Sequence, residues 1–432
     1  MDRRQFVRSA AAAGLLLPAG LVLADPKKLP KAVAPSPAPV LGAVPKARVI
    51  VIGGGMAGAT VAKYLRLWGD AVEVTLIERN PKYLSNIMSR LVLTGQRTLG
   101  SLSFDYAALQ SRYGVKLVVG EVVEVDPVLV QVTLANGTRL SADRIVMAPG
   151  IGFDAVPGLD HVNRLPHAWQ AGAQTTLLAS QLAAMPSNGV VVLTIPKVPY
   201  RWPPGPYERA CLIADGLKAN KPRAKLIVLD ANPDFVTEVD NFSKAFYGLH
   251  GKVIEYRPNS VIASVDSHQM VVYASTGAVQ ANVVNLIPQQ RAAALATSLA
   301  TANGGRFVPV DVLSYACLAP AASKVHVIGD AAATTQPKAG HIANQEAKVC
   351  ADALTRIFGG GQPDPAPVTN SACYSTITRS QASWLTAVFQ YDPVSKTRKP
   401  APASAAASVG WQADNFDQMN TWFKALMADS FA

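Results

Sequence analysis

The chain has 432 residues, 49% of them hydrophobic and 16% charged, with a formal net charge of +11. That length allows two or three domains with ample cores, and that composition excludes a disordered chain. The lysines and arginines are scattered, without a basic stripe or interleaved aromatics, so nucleic acid is not an expected partner.

The chain opens Met1-Asp2-Arg3-Arg4-Gln5-Phe6-Val7-Arg8, and an Ala-rich apolar run follows from Ala10 to Ala24, broken by Gly14, Pro18 and Gly20. This predicts a twin-arginine export signal over residues 1–24, removed after Ala24, and a periplasmic mature chain. The alternative is an uncleaved amphipathic anchor, since the run is shorter than the roughly 20 residues a spanning helix needs. Residues 25–46, rich in Pro, Ala and Lys, predict an extended linker. No later stretch is long and apolar enough to span a bilayer, so no stable membrane insertion is expected.

Ala47 to Ile52 is a β-branched run that flows into Gly53-Gly54-Gly55-Met56-Ala57-Gly58 and then into a helical stretch, Ala59 to Leu67. Strand, glycine turn and helix in that order form a dinucleotide site. Gly53 permits the tight turn, Gly55 lets the backbone approach a pyrophosphate, and Gly58 lets the helix pack on the strand. The phosphate is then held by free N–H groups at a helix N-terminus. A second strand, Val72 to Ile77, delivers Glu78, followed by Arg79, where a carboxylate accepts hydrogen bonds from ribose hydroxyls.

Two further strands end in ligand-type turns: Arg144 to Gly150, with Ala148 and Pro149 in the turn, and Val325 to Asp330, with Gly329 before the aspartate. Open α/β sheets place ligands at such carboxyl ends. A helix is predicted over His341 to Phe358, its positive dipole end toward the same crevice. Between these halves, the strand Gly189 to Ile195 begins a second nucleotide-type unit. Its loop reads IPKVPYRWPPGPYERA over residues 195–210, where Pro203, Pro204 and Pro206 remove N–H donors, so it cannot cradle a pyrophosphate.

The four cysteines, Cys211, Cys317, Cys350 and Cys373, have no CxxC, no CxxCH and no metal-ligand spacing, so neither a metal nor a haem attached through CxxCH is expected in this chain. Near the C-terminus, Met419, Trp422, Phe423, Leu426 and Met427 share one helix face. Packing on the body is the expected role of that face; the other reading is contact with a membrane, which the nearby Asp414, Asp417 and Asp429 disfavour.

From about Lys46 onward the chain resembles the flavoprotein subunit of flavocytochrome c sulfide dehydrogenase, a relative of the sulfide:quinone oxidoreductases. The resemblance rests on PPGPYERA at residues 203–210, LPHAW at 165–169, NLIPQQRA at 285–292 and PKAGH at 337–341. It implies an α/β fold with two Rossmann-like dinucleotide-binding domains and a smaller C-terminal α+β domain. The expected division is residues 47–160 with 280–362 for FAD, 161–279 for a degenerate NAD-like domain, and 363–432 for a flavin-covering domain. FAD contacts are expected at Gly53, Gly55, Met56, Ala57, Gly58, Glu78, Arg79, Asn86, Ala148, Pro149, Gly150, Gly329, Asp330, Lys338 and His341. A small reduced sulfur substrate and a c-type cytochrome partner are implied as well.

Where the family tethers its flavin through a cysteine, this chain has Asn86, so the FAD is expected to be non-covalent. The family's redox cysteine pair maps onto Trp202 and Cys373, so the disulfide mechanism cannot run as written. Cys211 is a possible substitute, although a buried thiol is the plainer reading. Trp202 either lies against the flavin or fills the vacated volume. Glu208 is a candidate general base, with a solvated carboxylate the expected role, and His167 and His341 are candidate proton carriers. The catalytic candidates are therefore Cys373, Trp202 and Glu208. Expected function is FAD-dependent oxidation of a sulfur compound, against a non-catalytic electron-transfer partner or a quinone-linked enzyme.

Overall fold

The computed structural model describes residues 45–302 and 304–432; the expected signal and all but the end of the expected linker lie outside them. Ala47–Ile52 (β1) is buried along nearly its whole length, as a central strand of a parallel sheet is. Met56–Trp68 (α1) follows, then Val72–Glu78 (β2), Lys116–Val119 (β3) and Arg144–Met147 (β4). β1 pairs in parallel with β2 on one side, Val49 opposite Val74, and with β4 on the other, Val49 opposite Arg144.

The second unit holds Val190–Ile195 (β5), Gly205–Asn220 (α2), Lys225–Asp230 (β6), Ile254–Arg257 (β7) and Val283–Asn285 (β8), in the parallel order β7-β6-β5-β8. The chain then returns to the first sheet through Val308–Asp311 (β9), Ala316–Cys317 (β10), Val325–Val327 (β11) and Ala332–Ala333 (β12). The completed eight-stranded order is β12-β9-β10-β11-β4-β1-β2-β3. Gly340–Phe358 (α3) starts one residue before the predicted helix and packs on α1. Small antiparallel hairpin sheets at residues 122–141 and 262–280 decorate the two units.

Val368–Thr376 (β13), Ala382–Asp392 (β14) and Thr397–Pro400 (β15) form an antiparallel meander, and Ala413–Phe431 (α4) closes the chain. Met419, Phe423, Leu426 and Met427 are buried in the main core, with Trp422 partly buried against it, so this apolar face packs on the body as expected. Phe431 stacks on Tyr83 at 5.0 Å and on Phe104 at 5.7 Å. Among the described residues no helix is long and apolar enough to cross a membrane. The fold is the expected α/β pair of Rossmann-like units with a C-terminal α+β layer.

Candidate active site

A cavity of about 1020 Å³ opens where the carboxyl ends of β1, β2 and β4 meet the N-termini of α1 and α3. This is the crevice position at which open parallel sheets hold ligands. Gly53, Gly55, Met56, Ala57, Glu78, Arg79, Asn86, Ala148, Pro149, Gly150, Gly329 and Asp330 all line it. Gly58 does not; it serves the cradle from behind, since a Cβ there would lie 1.7 Å from the Gly53 carbonyl oxygen. A Cβ on Gly55 would meet nothing nearer than Tyr83, at 3.9 Å, so the fold itself leaves that space empty. Glu78 is fixed by the Gly54 N–H donating to Oε2 at 2.7 Å and the Asn80 N–H donating to Oε1 at 3.0 Å. Asp330 is raised above the usual carboxylate range by burial, and its Oδ1 has no hydrogen-bond partner. A cradle held open at Gly55, a carboxylate placed for ribose and an orphaned Asp330 oxygen together fit FAD.

The N-terminus of α2 closes the other end of the cavity with Trp202, Gly205, Glu208 and Arg209. Glu208 is fully buried, so the expectation of a solvated carboxylate is corrected. Its Oε1 accepts from Thr376 N at 2.7 Å and Thr376 Oγ1 at 2.9 Å and pairs with Arg90; Oε2 accepts from Trp202 Nε1 at 3.1 Å. Burial pushes this carboxyl up, and Arg90 with the Thr376 donors pulls it back. Trp202 adopts a φ of +59°, a strained region for a bulky side chain. It is held there by its N–H on the Lys338 carbonyl at 2.6 Å, the Gly205 N–H on its own carbonyl at 2.8 Å, and Glu208. Trp202 is thus an oriented cavity wall rather than a passive filler.

Arg209 stacks on the Trp169 ring at 4.7 Å and donates to the His167 and Ala168 carbonyls and to Asn285 Oδ1. Burial, with Arg201 next, lowers Arg209 to about 9. Asn86 spends its Oδ1 on the Ala171 N–H at 2.7 Å, which orders the edge of the cavity.

Other expected contacts fall elsewhere. Lys338 does not line the cavity; its Nζ donates to the Ala332 carbonyl at 2.5 Å and sits over Phe307. His341 also lies outside the lining, its Nδ1 accepting from Ala372 N at 2.9 Å. Burial lowers both His341 and His167 to about 4, which favours their neutral forms near neutrality. Cys373 is 5% exposed on β13, outside the cavity lining, and burial pushes its thiol up to about 12. Burial thus disfavours its thiolate, and it lies away from the cavity lining. Cys211, Cys317 and Cys350 are likewise free and buried. In the second unit, Asp230 ends β6 as Glu78 ends β2, but it is buried under Tyr207 and Tyr256, whose hydroxyls donate to it at 2.7 and 2.8 Å. An aromatic cluster of Tyr207, Phe235, Phe242, Phe246 and Tyr256 surrounds it.

Sequence reasoning missed Arg90, Arg201, Arg209 and Trp169 as cavity residues. Three of these stood inside motifs already singled out, Arg201 and Arg209 in YRWPPGPYERA and Trp169 in LPHAW. Arg90 had no such mark.

Fold and cavity define a two-dinucleotide-domain flavoprotein oxidoreductase. Residues 47–192 match the pyridine nucleotide-disulphide oxidoreductase family. Residues 175–288 match the central part of the sulfide dehydrogenase [flavocytochrome c] flavoprotein chain, and residues 365–431 match the flavin-binding part of flavocytochrome c sulphide dehydrogenase. Over its central and C-terminal stretches the chain is thus similar to the flavoprotein chain of flavocytochrome c sulfide dehydrogenase. Among solved structures it is similar to the sulfide:quinone oxidoreductase of the hyperthermophilic bacterium Aquifex aeolicus, at 18% identity over 89% of this chain and 91% of that one, TM-score 0.72. It is also similar to an NAD-dependent persulfide reductase from A. fulgidus, at 15% identity over 88% and 77%, TM-score 0.57. A third is the water-forming NADH oxidase of Lactobacillus brevis, at 14% identity over 81% and 85%, TM-score 0.57. At these identities the likeness is one of fold.

Proposed function

We propose that the chain is a periplasmic, FAD-dependent oxidoreductase that oxidises a small reduced sulfur compound and passes the electrons to a c-type cytochrome. The observation that carries this reading is a single cavity joining a glycine cradle for FAD to the ordered Trp202–Glu208 pair at α2. The matches to the central and flavin-binding parts of flavocytochrome c sulfide dehydrogenase support the sulfur substrate and the cytochrome partner. The Arg3-Arg4 pair supports export, and a sequence without CxxCH is consistent with a haem carried by a partner.

FAD, when bound, supplies the two-electron acceptor. The protein's own residues hold and shield the reaction. The α1 N-terminus and Gly55 would hold its phosphate, Glu78 its ribose, and Asp330 Oδ1 would accept one of its hydroxyls. Trp202 would wall the α2 end of the cavity. Glu208 Oε2, with one protein donor against several on Oε1, is the oxygen with capacity left to accept a proton. No cysteine lines the cavity, so in this reading the donor enters the cavity itself, without a protein thiol as carrier.

Anaerobic addition of sulfide or a small thiol to the flavin-loaded protein should bleach the flavin, and cytochrome c should restore its colour. A flavin that no sulfur donor reduces would leave only the second reading, a flavin-containing electron-transfer partner, which the burial of Cys373 favours. Because Asn86 offers an amide where a tether needs a thiol, acid precipitation should release the flavin into the supernatant.

A further inference from the structure

Arg201 is unlike the other cations of the cavity. Arg90 is paired with Glu208, and Arg209 donates to two carbonyls and Asn285. Arg201 is 9% exposed and lines the cavity, yet among the described residues its guanidinium has no hydrogen-bond or ion-pair partner; only its backbone N–H is bonded, to Gln290 Oε1 at 2.7 Å. Asp330 and Tyr83 attract it at a distance. A buried charge without a partner is costly and persists where a ligand supplies the counter-charge.

The surroundings say what kind of ligand. Four guanidinium groups, Arg79, Arg90, Arg201 and Arg209, line the cavity. Arg90 is matched by Glu208, and Asp330 is the one carboxylate that attracts Arg201, so the Arg201 and Arg209 pair keeps one positive charge more than the carboxylates beside it. Arg201 is also the strongest charged influence, after burial, lowering Arg209, a repulsion that a bound anion would relieve. Trp202 and Trp169 close on Gly205, where a Cβ would lie 2.1 Å from Trp202 Cδ1 and 2.8 Å from Trp169 Cη2. The two indoles narrow the space at this end, which limits it to a small ligand, and the N-terminus of the 16-residue α2 adds its positive end.

We propose that Arg201 is the counter-charge of an anion subsite at the α2 end of the cavity, which takes the sulfur donor as a small monovalent anion, hydrosulfide or a low-molecular-weight thiolate. The proposal rests on the cavity being a flavin site for a sulfur donor. Charge on the cofactor itself, from its phosphates or its reduced ring, is the competing use of Arg201.

The test titrates thiocyanate, a monovalent sulfur-terminated anion, into the oxidised, flavin-loaded protein at constant ionic strength, following flavin absorbance and tryptophan fluorescence. Saturable binding is expected, weakened at least about tenfold by Arg201→Gln and by no more than about threefold by Arg201→Lys, with the ratio of FAD to protein unchanged. Absence of saturable binding, equal affinity in Arg201→Gln, or loss of FAD from that variant would each overturn the proposal; the last would assign Arg201 to the cofactor. Should Arg201→Gln fail to fold, competition in the natural chain decides: thiocyanate must raise the sulfide concentration needed for bleaching in step with its own Kd, and no such shift overturns the subsite. Thiocyanate binding without bleaching by any donor removes the sulfur substrate and spares the subsite; bleaching without thiocyanate binding does the reverse.

Discussion

Gly55 and Gly58 stand three residues apart and answer to different demands. At Gly58 the protein fills the space, with the Gly53 carbonyl 1.7 Å from where a Cβ would lie; at Gly55 the protein leaves it empty. Gly55→Ala should therefore give a chain with native circular dichroism that no longer retains FAD, whereas Gly58→Ala should lose fold and FAD together. Both glycines were legible in the sequence, because the chemistry that needs them is local. Glu208 was not. Its burial depends on Arg90 and Thr376, which approach from distant parts of the chain, and nothing within the PYER segment announces them. Glu208→Gln leaves Arg90 buried without its counter-charge, and should cost about 3 kcal/mol in denaturant unfolding. Cys373→Ser, at a thiol with one weak hydrogen bond, should leave the flavin spectrum unchanged.

At the scale of elements, the sequence spacing around Met419 and Phe423 specified the buried face of α4 correctly, and the same reasoning placed α3 to within a residue of its observed start. What periodicity could not supply is where the end of α4 goes. Phe431 reaches Tyr83, a residue of the cavity wall, so the last turn of the chain buttresses the FAD site. Phe431→Ala should cost about 3 kcal/mol and also speed FAD dissociation, measured by dilution into apo-acceptor protein. The second Rossmann-like unit shows a related limit. Its prolines revealed the missing cradle, but the tyrosines that occupy Asp230 come from α2 and β7 and meet only in the folded chain.

The whole molecule carries several imidazoles that burial keeps neutral, and His326 is the clearest. It sits in β11 at the centre of the first sheet, lowered to about 4, with a ring nitrogen facing the Ser314 carbonyl at 2.8 Å. Unfolded, it takes up a proton below about 6.5 that the folded protein refuses until about 4. Its contribution to stability is therefore complete above about 6.5 and lost as pH falls from there through about 4. Relative to His326→Gln, the natural chain should lose its advantage by about 3 kcal/mol across that window, measured as paired urea unfolding curves. A gap that widens on acidification would mean the imidazole is charged in the fold.

The cavity at the carboxyl ends of β1, β2 and β4 is what joins sequence, fold and chemistry, and its occupancy is measurable without knowing the substrate. Calorimetric titration of the flavin-stripped, folded protein with FAD should saturate at one FAD per chain, and Gly55→Ala should abolish the heat while keeping the fold. A folded natural chain that shows no saturable FAD binding would contradict the account.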